Sequence, residues 1–227
     1  MEDELQVIIN DERIVASIKL TQMQKLRQLT GGFIIDHKEE VHPVEENNKL
    51  EELDSILDDE ISHDDKVVIY AQYRHEIEAI EKRYKKYGIV SVYGGNTTKQ
   101  NLDNIRKFKE DPKIRLIVLH PKSAAHGITF TCAHYMIFYS YDHSAEDAYQ
   151  CKSRIERAGQ KHNMIIFYLS CYKTVDEDTY KAVLLKIHNQ SYLIDGTAPT
   201  EEDQESINKL LLNQFKERRK NAVDRPA

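Results

Sequence analysis

From Lys66 onward, short runs that are apolar at nearly every position alternate with amphipathic stretches of helical period. The runs are Val67 to Ala71, Ile89 to Tyr93, Arg115 to Leu119, Tyr135 to Tyr139 and Met164 to Leu169; helical spacing covers residues near 75 to 87, 97 to 110 and 145 to 157. Successive side chains of a strand point to opposite faces, so a run apolar throughout must be covered on both. Strands separated by helices pair in parallel through right-handed crossovers. The pattern therefore predicts an α/β domain, a parallel sheet with helices on both faces, whose site lies at the carboxyl ends of the strands.

The flanks read differently. Ile14, Ile18, Met23, Leu26 and Leu29 recur at roughly helical spacing over residues 13 to 30, and Gly31-Gly32 supplies a C-terminal stop. After a polar, Pro-containing loop, Asn47 or Asn48 is placed to cap a short acidic helix carrying Leu50, Leu53, Ile56 and Leu57 on one side. Downstream, Thr174-Val175-Asp176-Glu177 has acidic residues where a helix N-terminus favours them, and a further helix is expected over 201 to 220. The expected division is a helical preamble at 1–62, the α/β lobe at 63–172, and C-terminal helices with a tail at 173–227.

Charge narrows the function classes. A formal net charge of −6 excludes a whole-surface grip on nucleic acid, since bulk affinity for DNA comes from neutralising phosphates. Only local patches such as Lys82 to Lys86 and Lys216 to Lys220 are available, and solvated helix faces explain both. The longest apolar run, Met164 to Leu169, is too short to span a membrane. The acidic start at Met1 to Glu4 has no apolar leader, so a cytoplasmic protein is expected. Cys132, Cys151 and Cys171 form no C-x-x-C pair, and neither a disulfide nor a metal site is expected.

Candidate chemistry concentrates at 150–160, Gln150-Cys151-Lys152-Ser153-Arg154-Ile155-Glu156-Arg157-Ala158-Gly159-Gln160. On a continuous helix, Arg154 and Arg157 would share one face. Guanidinium groups stay charged and present a planar fork of donors, which suits the charge that develops on a transferring phosphoryl group. The alternative is a solvated helix with an incidental arginine pair. Upstream, Leu116 to Leu119 run into Pro121-Lys122-Ser123-Ala124-Ala125-His126-Gly127-Ile128-Thr129-Phe130, where small residues would let backbone amides approach phosphate oxygens. Gln72-Tyr73-Arg74 follows the first strand, and Tyr93-Gly94-Gly95 with Thr97-Thr98 follows the second.

The pattern Q-x-x-x-R-x-x-R-x-G-Q resembles motif VI of the superfamily II helicases and translocases, in the Swi/Snf-related branch. Gln72-Tyr73-Arg74 resembles motif IV of that family, and residues 116 to 130 resemble motif V. Leu26-Arg27-Gln28 is similar to the end of the family's connection between its two lobes, and Thr174 to Tyr180 to its bracing helix, so the resemblance runs in order over about residues 13 to 188. It implies a RecA-like second lobe. It also implies that Arg154 and Arg157 act as fingers on ATP, that Gln150, Gly127 and Gln160 contact nucleotide, and that Gln72, Tyr73, Arg74, Gly95, Ser123 and Thr129 touch the DNA backbone. ATP and Mg²⁺ would be bound mainly by the first lobe, which with duplex DNA would be the partner. Ala124-Ala125 stands where the family has paired glycines, with His126 before Gly127, a form associated with phage and prophage members and so with a host-cell cytoplasm.

This sequence contains no G-x-x-x-x-G-K-[ST] phosphate loop and no D-E-x-x motif at a strand end. The reading is therefore a C-terminal motor lobe that supplies fingers without the nucleotide pocket and is inactive alone. Two rivals are a non-catalytic DNA- or protein-binding module that retains the lobe fold, and an unrelated α/β transferase, for which no dinucleotide fingerprint is present.

Overall fold

The computed structural model describes residues 5–9, 12–16, 19–123, 128–142 and 144–184. Strands β1 (Leu5–Ile9) and β2 (Glu12–Ala16) pair antiparallel ahead of helix α1 (Lys19–Thr30). The helix expected from residue 13 thus begins later, and Ile14 instead pairs with Val7 across the hairpin. Ile14-Val15 pairs with Gln6-Val7, and β-branched residues, stiff at χ1, favour strands over helices. Ile18 lies outside the described residues. Gly32, at φ +86°, closes α1 as expected.

The stretch expected as a loop holds a second short hairpin, β3 (Phe33–Ile35) with β4 (Val41–Pro43). Asp36 organises it: its Oδ1 accepts from the amides of Lys38 and Glu40, each at 2.8 Å, and its Oδ2 lies 3.2 Å from His42 Nε2. Helix α2 (Asn48–Ser55) starts at Asn47, whose side chain accepts from the Leu50 amide at 3.2 Å, and runs on into a π-helical turn at Ile56–Glu60.

The remaining elements build the lobe: β5 (Val67–Tyr70), α3 (Arg74–Arg83), β6 (Ile89–Val92), α4 (Thr98–Glu110), β7 (Leu116–Leu119), β8 (Tyr135–Phe138), α5 (Ala145–Lys152) and β9 (Ile165–Tyr168). Each of the five expected strands forms to within a residue. They make one parallel sheet in the order β6-β7-β5-β8-β9. Alternation divides its side chains between two cores. Val68, Tyr70, Ile117, Leu119, Met136 and Phe138 pack on one face, and Val67, Ile69, Leu116, Val118, Ile137 and Tyr139 on the other.

One half-buried and one buried cation fix the amino-terminal edge of the sheet. Lys66 Nζ donates to the carbonyls of Phe108, Asp111 and Ile114 at the end of α4. Arg115 Nη2 donates to those of Leu57, Ile61 and Ser62, closing the π-helical turn onto β7. At the opposite edge the chain leaves β5 toward β6 on one side and returns after β7 to β8 on the other. The ends of β5 and β8 thus flank a topological switch point, where α/β sheets place their sites.

Residues 175–184 are helical, in line with the N-terminus read at Thr174; the helix expected over 201 to 220, with Lys216 to Lys220, lies outside the described residues. Among the described residues, no helix is long and apolar enough to cross a membrane.

Candidate functional site

Gln72 and Tyr73 sit where β5 ends and α3 begins, and one carboxylate holds both. Glu76 Oε2 accepts from the Gln72 amide at 3.2 Å and the Tyr73 amide at 3.1 Å, and Ser140 Oγ at the end of β8 donates to the same oxygen. The Gln72 amide also donates to Ser140 Oγ at 2.8 Å. Glu76 stands where a capping-box glutamate stands, a signal present in the sequence that the motif comparison passed over. Burial is the largest influence on its carboxyl and pushes it up to about 7, against the opposing pull of Lys49 and Ser140.

Arg74, Tyr93 and Gly95 form a neighbouring group on the outside. Arg74 Nε lies 2.7 Å from Glu78 Oε1, and its guanidinium sits 5.9 Å from the Tyr93 ring centre. Gly95 packs on that ring so closely that a Cβ there would fall 2.4 Å from a ring carbon. Of the two basic patches, Lys82 to Lys86 follows the solvated-face reading: Arg83 pairs with Asp54 and Tyr84 is buried in the core.

The arginine segment departs from the expected geometry. Helix α5 ends at Lys152, and residues 153–157 continue as turns and a bend. Bonds of the tighter three-residue kind end it, from Arg154 N to Cys151 O and from Ile155 N to Lys152 O, while Ser153 Oγ donates to Gln150 O at 2.9 Å. Arg154 and Arg157 therefore do not share a helical face. Arg154 is buried, at 7% exposure, and Arg157 is exposed. The reason lies in the neighbours, because Cys151 and Ile155 insert into the core and draw Arg154 in with them. Burial also pushes the Cys151 thiol up to about 12, marking it as a packing residue.

Other expected contacts find internal partners. Gln160 Nε2 donates to Ala133 O at 2.8 Å, and its Oε1 accepts from the amides of Lys161 and His162, so this side chain shapes the loop before β9. Gln150 Nε2 donates to Glu146 Oε1 one turn back. Ser144 caps α5 as expected, accepting from the Asp147 amide at 3.1 Å. Ser123 lies in a single helical turn after β7, and Thr129 is half-buried in the loop beyond. Gly127, with Ala124, Ala125 and His126, lies outside the described residues. The two halves of the segment nonetheless meet: the Phe130 amide donates to Arg154 O at 2.8 Å, and Lys122 Nζ approaches Asp147 Oδ2 at 3.8 Å.

The preamble is tied to this same edge. Arg27 donates to Tyr141 O and to Asp142 Oδ1, the latter at 3.2 Å, bracing the loop between β8 and α5. Thr30 Oγ1 donates to Asp176 Oδ1 at 2.9 Å, and Lys49 Nζ sits 2.6 Å from Asp176 Oδ2. Sequence reading placed Arg27 and Asp176 in motifs without assigning these partners, which lie 114 and 146 residues away in pairs such as Arg27–Tyr141 and Thr30–Asp176.

Residues 48–159 match the model of the helicase conserved C-terminal domain. Helicase SWR1 of Yarrowia lipolytica is 29% identical over 150 residues, covering 65% of this chain and 8% of that protein. The chromatin-remodeling ATPase INO80 of Debaryomyces hansenii is 25% identical over 206 residues, covering 87% of this chain and 15% of that protein. The chain thus spans only a small part of these relatives. Solved structures share its fold, two of them as follows. The C-terminal part of the Fun30 ATPase domain aligns with a TM-score of 0.52 at 23% identity, over 60% of this chain and 44% of that one. The SWI2/SNF2 ATPase core of Sulfolobus solfataricus in complex with dsDNA aligns with a TM-score of 0.57 at 24% identity, over 84% of this chain and 41% of that one. Over residues 48–159 the chain is thus similar to the helicase conserved C-terminal domain, and its parallel five-stranded sheet has the RecA-like fold of the Swi2/Snf2 ATPase structures that it resembles.

Proposed function

We propose that this chain is the second motor lobe of an ATP-dependent DNA translocase, working on duplex DNA together with a nucleotide-binding first lobe. One observation carries the reading: the hydrogen bond from Phe130 N to Arg154 O, which seats the loop after β7 against the arginine segment while Arg157 stays exposed. ATP would lie between the lobes, with the Arg157 fork neutralising charge that develops as the γ-phosphoryl group transfers. Buried Arg154 and Gln150, paired with Glu146, would set the position of that segment.

ATP and Mg²⁺ would be bound mainly by the first lobe. Among the described residues, the group close enough to share an ion is Asp36, Glu40 and His42, and Asp36 already holds the β3–β4 turn. Gln72, Tyr73, Arg74, Gly95, Ser123 and Thr129 would follow the DNA backbone, a contact that fixes register without reading sequence. A structural neighbour in complex with dsDNA supports a duplex track. None of the relatives named above is described as a phage or prophage protein, so that finer expectation has no support.

The test is ATP hydrolysis by the chain alone, and by the chain with a nucleotide-binding lobe supplied in cis or in trans, each with and without duplex DNA. Background turnover alone and duplex-stimulated turnover in the pair are expected. Robust duplex-stimulated turnover by the chain alone refutes the lobe reading. Duplex binding without turnover in any pairing returns the protein to a non-catalytic binding module.

A further inference from the structure

We propose that Glu76 is a positioning residue that joins three parts of the lobe, namely the preamble at Gly31, the Gln72-Tyr73 turn and the end of β8 at Ser140, so that the turn facing DNA and the loop leading to the arginine segment shift together. The importance of that turn rests on the translocase reading; the tie itself rests on geometry.

A single carboxylate oxygen, Oε2, receives both backbone amides and the Ser140 hydroxyl. The Gln72 amide is shared between Glu76 and Ser140, closing a triangle across the switch point. Both Glu76 and Ser140 are buried, so water cannot substitute for a lost member of the set. The other oxygen, Oε1, is buried with no hydrogen-bond partner among the described residues. It faces Gly31, where an added Cβ would fall 2.4 Å away. A shift of Gly31 toward Glu76 therefore presses on this carboxylate, and through Oε2 on both loops. Plain capping of α3 would need only the Tyr73 amide, and the reach to Ser140, 64 residues away, goes beyond that need.

Amide hydrogen exchange at single-residue resolution tests the tie on the purified chain. Glu76→Gln keeps the size of the side chain but weakens the acceptor. It is expected to raise exchange at Gln72 and Tyr73 by roughly tenfold, the scale of one lost hydrogen bond. Ala71, whose amide bonds to Leu119 in the sheet, should hold its protection. Ser140→Ala should raise exchange at Gln72, and the double variant should show less than the product of the two single effects. Gly31→Ala should reproduce the rise from the preamble side. Exchange at Gln72 and Tyr73 within about twofold of the parent in all three single variants, or Ala71 rising in step with them, overturns the inference. Anisotropy with a labelled duplex is the second arm. A several-fold loss of affinity in Glu76→Gln supports the coupling to DNA. Faster exchange with unchanged duplex binding, or with none detectable in the parent, leaves the tie standing and overturns the DNA reading of the turn.

Discussion

Lys49 Nζ and Asp176 Oδ2 lie 2.6 Å apart with both side chains almost wholly out of solvent, joining α2 to the helix at residues 175–184. Asp176 also accepts from Thr30 Oγ1 and the Cys171 amide. Segments at either end of the lobe are thus pinned to each other over the carboxyl edge of the sheet.

Removing one member of that pair strands the other charge in a dry setting. Asp176→Ala and Lys49→Ala should each lower unfolding free energy by about 3 to 5 kcal/mol, and Lys49→Ala combined with Asp176→Ala by less than the sum. Urea titration of the purified chain measures this. Losses below about 1 kcal/mol would mark the pair as solvated in solution.

The Glu76 carboxyl predicts a pH dependence. Facing it are Lys49 from α2, Asp176 from the helix at 175–184, Tyr139 beyond β8, and Tyr73 at the start of α3. Burial raises it to about 7 in the folded chain, while an unfolded glutamate titrates near 4.5. The folded state therefore binds more protons between those values. This contribution is fully present below about 4.5 and is lost as pH rises through about 7, a change on the order of 3 kcal/mol. Glu76→Gln should flatten that part of the curve. Stability of the parent that rises across the same window would contradict the assignment.

Burial separates the two arginines. Arg157→Ala should leave thermal unfolding of the chain almost unchanged, whereas Arg154→Ala should lower it, since a buried guanidinium and its packing are lost. In a two-lobed assembly, Arg157→Ala and Arg157→Lys should both cut duplex-stimulated hydrolysis by roughly 10³ to 10⁵ with little change in ATP binding, because a point charge lacks the planar fork. Rescue of turnover by lysine would assign Arg157 a purely electrostatic role.

Duplex binding should be weak and salt-sensitive. With a net charge of −6, the chain is expected to bind with Kd on the order of 10⁻⁴ to 10⁻⁶ M, equally on unrelated sequences. Anisotropy at rising salt checks this. Tight, sequence-dependent binding would argue against backbone tracking.

The sequence by itself determined the sheet. Five runs apolar at nearly every position have no stable arrangement except burial on both faces, and strands β5 to β9 appear within a residue of where that argument puts them. Local caps were legible for the same reason, because Asn47 and Ser144 act on amides three residues away. The first hairpin was missed where residues 13 to 30 could be read at helical period, since a strand needs a partner that the period does not reveal. The arginine segment shows the same limit more sharply. Spacing placed Arg154 and Arg157 on one face, but Cys151 and Ile155 packing into the core ended the helix at Lys152 and turned one arginine inward. Only the tertiary structure could bring Glu76 to Ser140, Arg27 to Asp142 and Lys49 to Asp176. Those contacts join residues far apart in the chain, and they form only once the sheet has fixed which loops share its carboxyl edge.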